Sequence, residues 1–338
     1  RKEIEQMLST GTLRPCDEPQ ARELERQGDV LPSTLVWSIK QTSSGKVGKL
    51  RWTCAGNRQS LPISAQAAAT SNPDTIAVRL ATIASVQRGW STDLLDVTAA
   101  FLNAPLHESE GKRLGVRIPK SVHATGLLLG HRSAEILMSM YGLRSSPAAW
   151  NQHRDCGVRE ISDKLENYRI IQSALDENIW LIQNKQGTEL CGLLLAYVDD
   201  FLITGTTDAR ATVTDAIKQR WTCGKHTTLR ADLKPGETDV GEFVGIEMTR
   251  TCDGITMTQG KFIKKLLERY GLEQCNPRAT PMDDWTEPEL EEADKDTVTA
   301  AQEMVGSLLW LSCKTRVDVS YAVQVLSSFA TKCPRWTL

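Results

Sequence analysis

The chain has 338 residues, of which 40% are hydrophobic and 24% are charged, and its formal net charge is -2. This composition is typical of an ordinary globular protein, and it excludes an overall basic nucleic-acid coat while leaving room for a local basic channel. The length is sufficient for a sizeable core and for roughly two or three packed subdomains. No apolar run has transmembrane length, so we expect no membrane partner.

The nine cysteines are dispersed along the chain, and no two of them have the spacing of a metal site. An odd, scattered set is typical of reduced thiols, and we therefore expect an intracellular protein. The five histidines form no HExxH or paired-ligand pattern. The chain starts at Arg1 and ends with CPRWTL, which indicates a fragment of a longer protein.

Hydrophobic periodicity and turn residues predict the first elements. The segment RKEIEQMLSTG reads as a short amphipathic helix with Ile4, Met7 and Leu8 on one face. The polar sequence up to about residue 33 has no clear pattern. The segments TLVWSIK and KLRWTCAGN read as two strands, and QTSSGKVG between them predicts the turn of a hairpin.

The middle of the chain alternates between helices and strands. PDTIAVRLATIASVQRG predicts a helix with apolar residues at 76, 80, 83 and 86, and STDLLDVTAAFLNAPL predicts a strand that breaks at Pro105. SAEILMSMYGL leads into the helix SSPAAWNQHRDCGVREISDKL, which carries Pro147 in its first turn. NIWLIQ and ELCGLLLAYVDDFLITG predict a strand pair whose connecting turn contains Gly187.

The last third is mostly helical. TDARATVTDAIKQRW predicts a helix, GEFVGIEMTR a strand, and QGKFIKKLLERYGL another helix. An acidic stretch at about 283–295 precedes the helical segment TAAQEMVGSLLWLSCKTRVDVSYAVQVLSSFAT. Helices interleaved with hairpin pairs of strands predict an antiparallel α+β core.

Two adjacent aspartates, Asp199 and Asp200, interrupt the apolar run LLLAYVDDFLITG. Because burial of ionised carboxylates without a partner or metal is costly, we expect a tight turn at YVDD to lift both out of the core. Asp96 in DLLDVTAAF supplies a third carboxylate, and Asp93 competes with it on sequence alone. Such carboxylates suit two Mg²⁺ ions in nucleotidyl transfer, whereas an isolated aspartate pair is more typical of a polar turn.

The ordered motifs of the chain resemble those of reverse transcriptases from copia-type LTR retrotransposons. YVDDFLITG resembles the active-site hairpin of that family, and LLDVTAAFLNAPLHE is similar to LDVKTAFLNGxLxE. MYGLRSSPAAWNQH resembles LYGLKQSPRAWxxx, and EFVGIEM resembles FLGIEI. GSLLWLSCKTRVDVSYAVQVLSSFATKCP is similar to the connection motif GSLxYLxxTRPDIxYAVxxLSRFxxxP, although TRVDVS replaces TRPDIS. TLVWSIK with KLRWTCAGN is a looser counterpart of KWVFKxK with KARLVxKG.

The resemblance implies an α+β fold of the right-hand polymerase type. It has fingers, a palm with an antiparallel sheet and helices, and a thumb, followed by a partial connection region. The implied division is an N-terminal helix and leader (1–29), fingers and palm (30–250), a thumb-like helical segment (251–285) and the start of a connection (286–338) toward an RNase H domain outside the chain.

The resemblance also assigns roles to individual residues. The implied catalytic residues are Asp96, Asp199 and Asp200, and the implied metal-binding residues are the same three together with Val97. Binding of dNTPs falls to Lys49, Arg51, Phe101, Tyr141 and Gly142, and Phe101 would exclude a 2′-hydroxyl. Binding of the template-primer falls to Arg144, Ser146, Pro147, Tyr197, Lys261, Lys264 and Lys265. The structural alternatives are a core residue for Phe101, a solvated surface pair for Lys49 and Arg51, a well-capped helix for the segment around Pro147, and an amphipathic surface helix for the lysines at 261–265.

The implied activity is RNA-directed DNA polymerisation, with dNTPs and an RNA or DNA template-primer as partners and two Mg²⁺ ions, replaceable by Mn²⁺, as cofactors. The protein partner would be a second copy of the chain or another segment of the Pol polyprotein. The implied location is the cytoplasm, in a virus-like particle, or the nucleus. Two alternatives stay open. An RNA-dependent RNA polymerase uses the same acidic geometry, although Phe101 disfavours it. An inactive retroelement remnant would bind only nucleic acid or protein.

Overall fold

The computed structural model of the chain describes residues 1–42, 45–59, 73–106 and 113–338. The chain divides into two compact units, each assembled from segments that are distant in sequence. The first unit contains Arg1–Asn72, Leu95–Phe201 and Ala211–Lys225. The second contains Pro73–Leu94, Leu202–Arg210 and His226–Leu338.

The described part of the chain contains both helices and strands, and its mostly antiparallel strand pairs fit the predicted α+β class. The helices are α1 (Lys2–Ser9), α2 (Glu18–Gln27), α3 (Thr75–Gln87), α4 (Lys120–His123), α5 (Ser146–Lys164), α6 (Thr207–Arg220), α7 (Gly260–Tyr270), α8 (Lys295–Lys314), α9 (Ser320–Phe329) and α10 (Pro334–Thr337). The strands are β1 (Leu13–Pro15), β2 (Asp29–Leu31), β3 (Ser33–Thr42), β4 (Gly45–Cys54), β5 (Ser91–Val97), β6 (Leu114–Arg117), β7 (Ser133–Ile136), β8 (Tyr168–Gln172), β9 (Ile179–Asn184), β10 (Leu190–Tyr197), β11 (Asp200–Gly205), β12 (Cys223–Leu229), β13 (Asp239–Phe243), β14 (Ile246–Thr251) and β15 (Gly254–Thr258). In the part of the chain that is described, no helix is long and apolar enough to cross a membrane.

Among the described residues the strands form four sheets, and most of the neighbouring pairs are antiparallel. The largest sheet has the order β12-β5-β11-β10-β9-β8, and a second sheet has the order β1-β7-β6-β2 with β2 parallel to β6. β3 and β4 form a hairpin, and β13, β14 and β15 form a meander. The hairpin that carries the two adjacent aspartates is therefore held between β5 and β9 in the middle of the six-stranded sheet.

The N-terminal helix forms where the sequence predicts it, because Ile4 and Met7 are fully buried in the core of the first unit. The polar segment up to about residue 33, whose sequence shows no clear pattern, nevertheless contains β1, α2 and β2. A capping box begins α2: Asp17 accepts a hydrogen bond from the backbone N–H of Gln20 (2.8 Å), and the Gln20 side chain accepts one from the backbone N–H of Asp17 (3.0 Å). The sequence DEPQ carries this signal, which the periodicity alone does not reveal.

Three predicted elements have different boundaries in the structure. The predicted hairpin is correct, but the ladder continues to the pair Thr42 and Gly45, so QTSSGKVG is mostly strand; residues 43 and 44 lie outside the described part. The strand predicted up to Pro105 ends at Val97, and a 3-10 helix follows because Ala99 takes a left-handed conformation. The predicted strand GEFVGIEMTR is two strands, since Val244 and Gly245 form a left-handed turn between β13 and β14.

Helix α3 is confirmed, but its predicted apolar face is the wrong one. The side chains at 76, 80, 83 and 86 are exposed, and the helix buries small residues instead, among them Ala77, Ala81 and Ser85. Ser85 accepts a hydrogen bond from the buried guanidinium of Arg250 at 3.3 Å. Burial of this arginine requires polar neighbours, and Ser85 supplies one of them from the buried side of the helix.

Glu135 is a buried carboxylate on β7, in the four-stranded sheet of the first unit. It lies opposite Arg14 on β1, which donates a hydrogen bond to it, and Arg113 donates a second at 2.5 Å. The hydrogen bond from Arg113, supported by that from Arg14, lowers the pKa of Glu135 although burial opposes this. The ionised form is therefore favoured in the folded state.

We predict that Glu135→Gln lowers the free energy of unfolding at pH 7 by about 1.5–3 kcal/mol, the range for hydrogen bonds to charged groups. The folded pKa is below the unfolded value of about 4.3, so this stabilisation is present above that value and is lost as pH falls through the folded pKa. Urea unfolding of both proteins from pH 7 downward should show the difference shrinking. The exposed pair Glu23 and Arg26 provides the control Glu23→Gln, and an equally large effect there would contradict the assignment.

Candidate active site

The turn between β10 and β11 lies within YVDD, as the sequence predicts, but only Asp199 belongs to it, and Asp200 is the first residue of β11. The turn consists of Val198 and Asp199, and Val198 has a φ of 50°, a left-handed conformation that is unfavourable for a β-branched residue. The indole Nε1 of the fully buried Trp150 donates a hydrogen bond of 2.6 Å to the carbonyl oxygen of Val198. Helix α5, which carries Trp150, thereby anchors the turn.

The end of β5 places Asp96 beside this turn. The backbone N–H of Val97 donates to the carbonyl oxygen of Asp199 at 2.8 Å, which ties the two strand ends together. The side chain of Val97 is buried, and Asp96 is half-buried. Asp96 and Asp199 therefore meet at the same end of neighbouring inner strands of the sheet.

Asp93, the competing candidate, has a different environment. Residues three apart in a strand point to opposite faces, so Asp93 and Asp96 cannot serve the same site. Asp93 is buried in the second unit, where it accepts hydrogen bonds from Arg210 and from the hydroxyl of Thr228 (2.7 Å), with His226 Nε2 at 3.1 Å. These contacts compensate its charge and give it a structural role.

Asp96 and Asp199 line a cleft of about 420 Å³ within the first unit. Four residues assigned to dNTP binding line the same cleft: Lys49, Arg51, Phe101 and Tyr141. The remaining lining residues are Thr53, Val97, Thr98, Ala99, Ala100 and Val198. The cleft thus combines two carboxylates, two cations and two aromatic rings, which suits a ligand that has anionic, planar and metal-binding parts.

Opposite charges and aromatic contacts organise the cleft. The guanidinium of Arg51 lies over the ring of Tyr141 at 5.6 Å, and the rings of Tyr141 and Phe101 meet edge to face at 5.8 Å. Burial raises the pKa of Asp199, and the negative charge of Asp96 raises it further, while Lys49 and Arg51 act in the opposite direction. The two carboxylates are therefore close enough to repel each other, and a cation bound between them would be stabilising.

The loop before α5 supports the cleft mainly through its backbone. Tyr141 O accepts a hydrogen bond from Cys54 N–H (2.9 Å), and Gly142 O accepts one from Gly56 N–H (3.2 Å). Gly142 has a φ of 93°, and a Cβ atom there would lie 2.1 Å from the carbonyl oxygen of Cys54. Only glycine allows this approach, so the role of Gly142 in the structure is to bring Tyr141 against β4.

The other predicted site residues are placed differently. Asp200 is half-buried at the start of β11 and does not line the cleft, and among the described residues no three His, Cys, Asp or Glu side chains form a group that could hold a metal. Arg144 is exposed and Pro147 is half-buried in the first turn of α5, whereas the hydroxyl of the buried Ser146 donates to the carbonyl of Met140 at 2.7 Å. Tyr197 is half-buried at the end of β10.

The predicted lysines of the template-primer site lie on helix α7 in the second unit. Lys261, Lys264 and Lys265 are exposed, and Lys261 forms an ion pair of 2.8 Å with Glu242. The apolar side of the helix is only half-buried, and none of its residues is fully buried. The helix is therefore an amphipathic surface helix with a basic side, as its spacing predicts.

We predict that Trp150→Phe lowers the free energy of unfolding by about 1–2 kcal/mol, because the carbonyl of Val198 loses its hydrogen bond while the aromatic packing is largely kept. Urea unfolding measures this change. Trp180 is the matched control, since it is also fully buried but its Nε1 has no hydrogen-bond partner among the described residues. Equal losses in Trp150→Phe and Trp180→Phe would show that the hydrogen bond does not anchor the turn.

Comparisons with known proteins agree with the motifs. Residues 24–284 match the family described as reverse transcriptase (RNA-dependent DNA polymerase). The chain is 28% identical over 254 residues to the retrovirus-related Pol polyprotein from transposon RE1 of Arabidopsis thaliana, covering 75% of this chain and 15% of that protein. It is 26% identical over 245 residues to the corresponding polyprotein from transposon TNT 1-94 of Nicotiana tabacum, covering 70% and 16%. The chain thus spans only a small part of these relatives.

A solved structure of the foamy viral protease-reverse transcriptase in complex with double-stranded DNA has a similar fold. The TM-score is 0.51 at 13% identity, and the match covers 97% of this chain and 43% of that one. This similarity confirms the predicted α+β polymerase fold. Taken with the family match, it shows that the chain belongs to the reverse transcriptase family and is a reverse transcriptase domain of the kind found in transposon Pol polyproteins.

Proposed function

We propose that the chain is an RNA-directed DNA polymerase that extends a primer with dNTPs by two-metal nucleotidyl transfer. The observation that carries this proposal is the shared cleft, in which Asp96 and Asp199 lie together with Lys49 and Arg51. Nucleotidyl transfer needs carboxylates for divalent ions and cations for the triphosphate. Both kinds of group line this cleft.

The donor set fits Mg²⁺, because carboxylate oxygens are its preferred protein ligands and the repulsion between Asp96 and Asp199 is relieved by a bound cation. These two residues would hold the ions. Asp200 joins them on the basis of the motif alone, and Val97 would contribute only a backbone oxygen because its side chain is apolar. Two bound Mg²⁺ ions supply activation of the primer 3′-hydroxyl and stabilisation of the leaving pyrophosphate, and Mn²⁺ would substitute.

Lys49 and Arg51 would bind the triphosphate from the opposite wall of the cleft. Arginine suits this role, since its planar guanidinium donates paired hydrogen bonds to phosphate oxygens. The Tyr141 ring under Arg51 limits the orientations of the guanidinium. Phe101, in edge-to-face contact with Tyr141, would lie against the sugar and exclude a 2′-hydroxyl.

The template-primer would contact Arg144 and Pro147 at the start of α5, Tyr197 at the end of β10, and the basic side of α7. Ser146 would help to position the start of α5 for this contact, because its hydroxyl is hydrogen-bonded within the protein. The double-stranded DNA bound to the foamy viral enzyme supports a duplex ligand. A second copy or other Pol segments as protein partners, and an intracellular location, stay predictions.

We predict that Asp199→Asn abolishes dTTP incorporation on poly(rA)/oligo(dT) while duplex binding is retained, because a metal ligand is lost and the phosphate contacts remain. Steady-state extension in Mg²⁺ or Mn²⁺ and fluorescence anisotropy of the labelled duplex measure the two properties. The exposed Asp163 on α5 provides the control Asp163→Asn, which should behave as the wild type. Extension should also stop with EDTA.

Two outcomes would contradict the proposal. Extension by Asp199→Asn at the wild-type rate would show that the Asp199 carboxylate takes no part in the chemistry. A folded wild-type chain that binds the duplex but does not extend the primer would support an inactive remnant that only binds nucleic acid.

We also predict that Phe101→Ala raises the use of rTTP relative to dTTP by roughly tenfold or more, since removal of the ring frees space for a 2′-hydroxyl. The ratio of kcat/KM values for rTTP and dTTP on the same primer measures this selectivity. Leu102 follows it in the chain and is buried in the core, so Leu102→Met is a conservative control that should leave the ratio unchanged. Unchanged discrimination in Phe101→Ala would refute the assignment.

A further inference from the structure

Gly224 lies at the start of β12, the strand that flanks β5 in the six-stranded sheet. The backbone N–H of Thr98 donates a hydrogen bond of 2.9 Å to the carbonyl oxygen of Thr222, which holds the end of β5 beside the start of β12. Asp96 and Gly224 are each two residues away from this contact, and both belong to the first unit. The neighbour of the Asp96 carboxylate on this side is therefore a residue without a side chain.

A side chain at position 224 would meet the carboxylate of Asp96. A Cβ atom built on Gly224 lies 3.0 Å from Oδ2 of Asp96 and 3.2 Å from Oγ1 of Thr98, whereas ordinary contacts begin at 3.4 Å. The third neighbour is the carbonyl oxygen of Asp96, at an unstrained 3.9 Å. The carboxylate thus occupies space that the glycine leaves free.

The backbone conformation does not account for this glycine. Its φ lies outside the left-handed region, so residues with a side chain could adopt the same conformation. Glycine weakens a strand, and where it occurs inside one it often marks the close approach of another group. At Gly224 the approaching group is the side chain of Asp96, which the proposed function makes a metal ligand.

Packing matters here because hydrogen bonds do not orient Asp96. Among the described residues, none donates a hydrogen bond to its carboxylate or forms an ion pair with it. The ligands of metal sites are usually held in position by hydrogen bonds from surrounding groups. On the β12 side of Asp96, the shape of the strand takes that role, and an added methyl group would displace the carboxylate.

We propose that Gly224 is a positioning residue, which leaves the space that the Asp96 carboxylate needs to bind a divalent cation together with Asp199. The inference rests on the proposed function and adds to it a residue that the motifs do not assign. A Cβ atom at position 224 would push Oδ2 of Asp96 by a few tenths of an ångström. Because Mg²⁺ requires nearly ideal octahedral geometry, a displacement of this size weakens its binding.

The test compares the wild type with Gly224→Ala. Calorimetry measures the Kd of Mn²⁺ for the chain without primer or dNTP, and Asp199→Asn identifies the binding event that belongs to the cleft. We expect Gly224→Ala to raise this Kd by roughly tenfold, the lower end of the range for groups that orient metal ligands. Primer extension should need correspondingly more Mg²⁺, while the KM for dTTP and the rate at saturating Mg²⁺ stay close to those of the wild type.

Stability separates this role from an ordinary structural one. Since alanine is more favourable than glycine inside a strand, Gly224→Ala should unfold at the same urea concentration as the wild type or at a higher one. Damage to the fold would lower stability and cation binding together. The control is Gly306→Ala on α8, where a Cβ atom meets no other atom within 4 Å, and it should bind Mn²⁺ as the wild type does.

Each contrary outcome is decisive. A Mn²⁺ Kd of folded Gly224→Ala equal to that of the wild type overturns the proposal, and so does a variant that does not fold, since the glycine would then be required by the fold. Wild-type Mn²⁺ binding that is absent, or that Asp199→Asn leaves unchanged, overturns it as well. If the wild type binds Mn²⁺ in the cleft but does not extend a primer, the polymerase assignment fails, and the Kd values still decide the role of Gly224.

Discussion

The hydrogen bond from Val97 N–H to Asp199 O is the constraint on which the cleft depends. It sets the register between the end of β5 and the turn after β10, and register decides which side chains share a face of a sheet. With this register, Asp96 and Asp199 meet at the cleft. A slip by one residue would turn Asp96 toward the opposite face, and the carboxylate pair would be lost.

The turn that carries Asp199 has an unfavourable conformation that its surroundings stabilise. A left-handed residue other than glycine costs about 1–2 kcal/mol, and Val198 adds the restriction of a β-branched side chain. The hydrogen bond from Trp150 and the apolar strands on either side hold the turn in place. Strain of this kind is found at functional sites because the adjacent rigid structure compensates for it.

Local sequence was sufficient to predict the parts of the fold that local periodicity controls. The hairpins, the helices α3, α5 and α7, and the turn at YVDD all follow from alternation, helical spacing and turn residues. The buried side of α3 did not follow, because the partner of Ser85 is Arg250, which is far away in sequence. The same limit applies to the choice between Asp93 and Asp96, which depends on which face of β5 meets the cleft.

The site itself was predicted in part. The motifs indicated Lys49, Arg51, Phe101 and Tyr141, and all four line the cleft with two of the three aspartates. Asp200 is adjacent in sequence but not in the cleft, since neighbours in a chain need not share a surface.

The interleaved composition of the two compact units has a consequence for synthesis on the ribosome. Pro73–Leu94 belongs to the same unit as His226–Leu338, so it must wait for most of the chain to be translated before that unit can be completed. Such long separations between contacting segments slow folding. Each unit consists of three separate segments, so no single cut in the chain can release either unit intact. Three of the boundaries, Leu94–Leu95, Phe201–Leu202 and Lys225–His226, fall inside β5, β11 and β12.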